Sequence, residues 1–163
     1  MRWSWRLWSV PAVVWLAAGC GSAEKAAQAP PAKSARALEA KHAEAASAFA
    51  SAVAGRNYEL AYGFMSELYK RDVGHEEFLE SIKRYREGYE TPPRFTVKAS
   101  DDDPAQLKDD PVMTLFVGDA AVRALVRDEA IIDFRDGENG WTLIAWLVEE
   151  QGQVRILNYV QDD

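Results

Sequence analysis

Cysteine occurs once in this chain and histidine twice, and no catalytic, metal-binding or nucleotide-binding motif stands out along its length. A single cysteine excludes an internal disulfide framework. Two histidines far apart, His42 and His75, cannot assemble a metal set with one cysteine, so neither a metal nor a cofactor is expected. Positive charge is also scarce: 19 basic side chains stand against 26 acidic ones, a net charge of −7. Nucleic-acid binding needs a basic stripe that releases counterions, and the one basic cluster, Lys83, Arg84 and Arg86, is interleaved with Glu80, Glu87 and Glu90. That segment reads as a solvated helix face. The longest apolar stretch, residues 7–18, falls short of the about 20 residues that a membrane-spanning helix needs, and it contains Pro11.

What is present begins with an address. Arg2 and Arg6 precede the apolar run LWSVPAVVWLAA, the charged-then-greasy order of a secretory signal. The run ends in Leu16-Ala17-Ala18-Gly19-Cys20, which resembles the bacterial lipobox, with Ala17 where that pattern usually has Leu. The resemblance implies that residues 1–19 are a removable leader and that Cys20 is lipidated. A plain secretory signal cleaved near Ala18 is the alternative. Loss of the leader takes away Arg2 and Arg6 and no acid, leaving 17 basic against 26 acidic side chains and a charge of −9. Two or more acyl chains, at about 0.8 kcal/mol per buried methylene, give a lasting membrane anchor. Gly21 rather than Asp follows the cysteine, similar to the pattern that sends lipoproteins to the outer membrane where a cell has two. Residues 20–34 have no hydrophobic period and contain Pro30-Pro31, so they read as a flexible tether spanning on the order of 20 Å. Ser22 and Lys25 spell an S-x-x-K within it, but a leash cannot hold a nucleophile against its base.

Residues 35–163 read as one α+β domain. Leu38, His42, Ala45, Phe49 and Val53 recur as one helical stripe, and Gly55 ends it. Asn57 suits the start of a second helix with Tyr58, Ala61, Tyr62, Met65 and Tyr69 on one face. A third helix opens near Gly74-His75 and carries Phe78, Ile82, Tyr85 and Tyr89 until Pro92-Pro93. The period then drops to two. Phe95, Val97 and Ala99 predict a strand, residues 100–111 a polar loop, and residues 112–117, 121–126 and 131–135 three more strands. The five aspartates of that loop lack the spacing of a calcium loop. Two final strands, Trp141–Glu149 and Val154–Val160, follow turns at 136–140 and 151–152. In the first of them Trp141, Leu143, Ala145 and Leu147 share one face and Ile144, Trp146 and Val148 the other, so neither face suits water. Helices can cover one; the other requires a curved sheet, a ligand or a second subunit.

Three helices followed by a long antiparallel sheet resemble the nuclear transport factor two-like (cystatin-like, SnoaL-like) superfamily. The phrases that carry the likeness are FASAVAGRNYELAYGFMS, GHEEFLESI and ENGWTLIAWLVEEQGQVRIL, within roughly residues 37–159. The resemblance implies a cone-shaped fold of three N-terminal helices packed on a curved antiparallel sheet. The superfamily also contains isomerases, dehydratases and cyclases with an acid or base in the cone, beside many members without chemistry. The candidate proton carriers are Asp133 and His75, although His75 also fits an exposed helix start and Asp133 also fits the solvent side beside Arg135. His42 reads as a packed histidine. Tyr62, Tyr85, Tyr89, Phe95 and Trp146 form the candidate pocket, or else aromatic core.

The reading that follows is a membrane-anchored extracytoplasmic lipoprotein, on the periplasmic face of the outer membrane in a two-membrane cell. Its domain is a non-enzymatic binding or accessory module whose partner is a second copy through the sheet face, an envelope protein or a small apolar ligand. The competing readings are a small isomerase or cyclase using Asp133 or His75, and a structural spacer.

Overall fold

The helical stripe of His42, Ala46, Phe49 and Val53 becomes the buried face of α1, Ala40–Ala54, in the computed structural model. The structure describes residues 36–84, 91–103 and 105–162. Cys20, the leader, the tether, Tyr85 and Tyr89 therefore lie outside the described residues. At the end of α1 the Gly55 amide donates to the Ser51 carbonyl, and Arg56 turns the chain with a positive φ of 59°.

The single aromatic helix expected after Asn57 is instead two. Helix α2, Tyr58–Gly63, starts where the Asn57 side chain accepts from the Leu60 amide. Helix α3, Glu67–Asp72, starts where the Ser66 hydroxyl accepts from the Tyr69 amide. The break has a cause: residues 64–66 bond the backbone of Ile156, which donates to Phe64 O at 3.0 Å and accepts from Ser66 N at 2.8 Å. A continuing helix would have consumed both groups. Helix α4, His75–Arg84, opens with Glu76 and Glu77 at its positive end and buries Phe78 and Ile82.

Four strands form one antiparallel meander in chain order: β1 Arg94–Ala99, β2 Val126–Asp136, β3 Asn139–Glu150 and β4 Gln153–Asp162. Gln151 and Gly152 both adopt positive φ, 51° and 77°, as a tight hairpin between right-twisted strands requires. Gly140 has a different duty. A Cβ there would meet the Arg135 side chain and the Phe134 carbonyl at under 3 Å, so its bareness lets Arg135 lie across β3. Register shifts near Arg127 on β2 and near Leu157 on β4 mark two bulges.

Between β1 and β2 the chain is not the pair of strands that its apolar runs suggested. Residues 112–117 belong mostly to α5, Pro111–Phe116, and residues 121–126 mostly to α6, Ala120–Arg123, with Val126 opening β2. Asp110 accepts from the Met113 amide at 2.7 Å with Pro111 in the first turn, and Asp119 accepts from the Ala121 amide at 2.8 Å. Those two local bonds commit each run to a helical turn. A short 3₁₀ turn, Leu107–Asp109, precedes α5.

The sheet consequently separates two cores. On its inner face, Ala130, Ile132, Phe134, Trp141, Leu143, Ala145, Leu147 and Ile156 pack against Phe49, Val53, Met65, Phe78 and Ile82. On its outer face, Trp146, Val148 and Leu157 pack under Leu107, Met113 and Val117. The alternation read in Trp141–Val148 is thus real, and part of the second face is closed by the chain itself. Architecture is α+β, helices on a curved four-stranded antiparallel sheet.

Candidate functional site

Asp133 sits on the outer face, in phase with Glu129 and Ile131, because Ile132 and Phe134 take the inner positions. Its carboxylate accepts from the Thr142 hydroxyl at 2.8 Å and lies 3.2 Å from Lys98 Nζ. Burial alone would raise its pKa, but the Thr142 bond and the Lys98 ammonium outweigh it and hold the carboxyl below its usual range. Such a group stays ionised and is a poor general acid. His75 lies on the other side of the sheet, at the start of α4, with Nε2 2.9 Å from the exposed Glu59 carboxylate and its ring edge-on to Tyr62. The two candidate proton carriers are therefore not brought together.

The candidate pocket residues divide in the same way. Tyr62 packs near Phe78 and donates its hydroxyl to the Val73 carbonyl at 3.2 Å. Phe95 lies against Phe134 on the inner face. Trp146 is wholly buried in the outer core, so it cannot line a cavity with those two. The described members of that set act as packing on opposite faces of one sheet.

Sequence reading missed a buried polar cluster where α1 crosses the sheet. Asp128, 3% exposed, accepts from His42 Nδ1 at 3.0 Å and pairs with the Arg36 guanidinium. His42 Nε2 faces Glu149 at 3.7 Å, and Lys41 pairs with Glu149. The Lys41 bond is the main cause holding the Glu149 carboxyl below its ordinary range. His42 is the packed histidine expected, and the acid that satisfies it could have been found by running the strand alternation backward from Ile132 through Ala130 to Asp128. The cluster ties the first turn of α1 to β2 and β3. The ring is held through Nδ1 by Asp128, while Nε2 stands 3.7 Å from Glu149, beyond hydrogen-bond distance, so the cluster fastens α1 to the sheet.

The outer face is where apolar groups meet solvent. The segment 107–123 covers the end of the sheet near Trp146, and Ile144 and Val160 pack against the margin of that core. Beyond it runs a cross-strand row, Lys98, Ile131, Ile144 and Val160, whose three apolar members are only half-buried. Helix α5 continues that row outward: Val112 is 43%, Phe116 45% and Leu115 78% exposed. Pro111, Val112, Leu115 and Phe116 share a shallow groove with Ile144, Val160 and Asp162. Arg94, Lys98 and Arg135 edge the row on the β1 side, and Asp162 edges it on the β4 side. A second groove, of about 260 Å³, lies between α3 and the α5–α6 segment and is lined by Tyr69, Val73, Val117, Val122 and Leu157.

Among the described residues no helix is long and apolar enough to cross a membrane, and no three His, Cys, Asp or Glu side chains converge as metal ligands. No protein-family model, curated protein or solved structure matches the chain.

Proposed function

We propose that this protein is a lipid-anchored, extracytoplasmic binding module of the nuclear transport factor two-like type, which works by contact rather than by catalysis. The anchor is the Cys20 thiol behind its short apolar leader. The contact surface is the open part of the outer sheet face together with α5, and its occupant is a second copy of the chain. The observation that carries this reading is the continuous apolar strip from Ile131 across Ile144 and Val160 to the exposed Val112, Leu115 and Phe116. Contiguous apolar surface of this kind, rimmed by charge, marks association sites.

Charge favours self-association. A two-fold axis along the strands lays β1 of one copy over β4 of the other, so Arg94 and Lys98 approach Asp162 of the second copy, twice. A small apolar ligand in the α3–α5 groove is the weaker reading, since about 260 Å³ is below the usual ~300–1,000 Å³ of ligand pockets. Native mass spectrometry of the full chain released from detergent tests the proposal. A dimer that Leu115→Asp converts to monomer is the expected result, together with a diacylglyceryl mass on Cys20. A wild-type monomer at tens of micromolar overturns the self-association.

A further inference from the structure

The segment that closes the outer core is unusually acidic. Between Ser100 and Leu125 stand Asp101, Asp102, Asp103, Asp109, Asp110 and Asp119, against Lys108 and Arg123 alone. Arg123 is committed elsewhere, its guanidinium donating to the carbonyls of Lys108, Val117 and Gly118, and Lys108 is exposed. Beneath this segment lies Glu129, 5% exposed. Trp146 Nε1 donates to its carboxylate at 2.6 Å, while the nearby Ser100 hydroxyl donates to Asp102 at 3.3 Å.

Charge around Glu129 is of one sign. Asp102 faces it from the loop after β1 and Asp110 from the start of α5, while Asp128, its neighbour in the chain, turns to the inner face and Arg36. Among the described residues no cation lies at ion-pair distance from Glu129. A buried carboxylate without a counter-charge is unfavourable unless it is neutralised. Burial is the main force lifting the Glu129 carboxyl above its ordinary range, the Trp146 bond opposes it, and Asp102 and Asp110 add to the rise. A proton neutralises such a carboxyl without any further ligand.

We propose that Glu129 is a proton-operated latch for the outer layer: with one proton taken from solvent the 107–123 segment closes on Trp146, and on ionisation it loosens. The sign follows from linkage. A folded-state carboxyl that holds its proton more tightly than the unfolded one adds stability below its folded pKa, and that addition is lost as pH rises through it. Closure therefore strengthens as the medium turns from neutral to mildly acidic. The latch does not depend on what the surface binds. Where the surface pairs two copies, it also governs whether Val112, Leu115 and Phe116 are held in place.

Amide hydrogen exchange of the full chain in detergent, corrected for the intrinsic pH dependence of exchange, tests the latch. In wild type, protection of 107–123 relative to β2 and β3 is expected to rise severalfold as the pH falls from 7.5 to 5. Glu129→Gln, a neutral replacement of the same shape, is expected to show the acid-level protection at both pH values. Asp102→Asn, at an exposed loop position, is expected to show a smaller rise already at pH 7.5, and it carries the test if the Gln variant does not fold. Protection in wild type that is flat or falls on acidification overturns the proposal, as does a pH dependence unchanged in Glu129→Gln. Loss of dimerisation with the latch intact sinks only the contact reading.

Discussion

The two faces of the sheet are built from similar apolar side chains and closed in different ways. The inner face meets four helices and an aromatic run in which Phe78 touches Tyr62, Tyr69 and Tyr159. Burial, reinforced by neighbouring Tyr159, pushes the Tyr69 phenol up, so it remains a neutral packing group. The outer face meets a 3₁₀ turn and two helices of six and four residues, each too short to hold its shape without the sheet beneath. The inner core, closed by α1 of fifteen and α4 of ten residues beside two helices of six, shares its contacts widely, whereas the outer one, with no helix longer than six, rests on a few anchors such as Leu107 and Met113. The outer layer is thus the part of the fold fitted for adjustment.

Substitutions can break or sharpen that contrast. Phe78→Ala leaves a cavity among three rings and is expected to cost about 4 kcal/mol, lowering the urea midpoint for every probe at once. Asp128→Asn strips the charge shared by His42 and Arg36 and is expected to cost about 3 kcal/mol, again globally, in the same denaturation. Met113→Ala removes an outer anchor for about 2 kcal/mol, and hydrogen exchange is expected to place the loss in 107–123 while β2 and β3 keep their protection. If β2 and β3 lost protection equally, the two cores would be one cooperative unit. Leu115→Asp, at a position 78% exposed, is expected to change the melting temperature by the equivalent of less than about 0.5 kcal/mol while abolishing self-association.

How much of this was legible in the chain follows the same division. Helix α1, the start of α4, strand β1 and the closing hairpin announce themselves through period and turn residues, and they build the inner core. Residues 112–126 misled because short apolar runs fit strand and helix equally, and Asp110-Pro111 and Asp119 were the signals that decide between them. The break at 64–66 was invisible, since its cause is a backbone partner some ninety residues away in β4. Candidate residues chosen by chemical type, Asp133, His75 and Trp146, proved scattered, because residue type says nothing of which face a strand gives it. The buried acids Asp128 and Glu129 were overlooked when the strand was started at Ile131 rather than at Val126, five residues earlier.

That backbone partnership has a further consequence. By hydrogen-bonding Ile156, residues 64–66 occupy one end of the free margin of β4, where an incoming strand would otherwise zip on. Growth of the sheet sideways, copy upon copy, is obstructed at its first step. The margin is thereby a poor template for open-ended fibres.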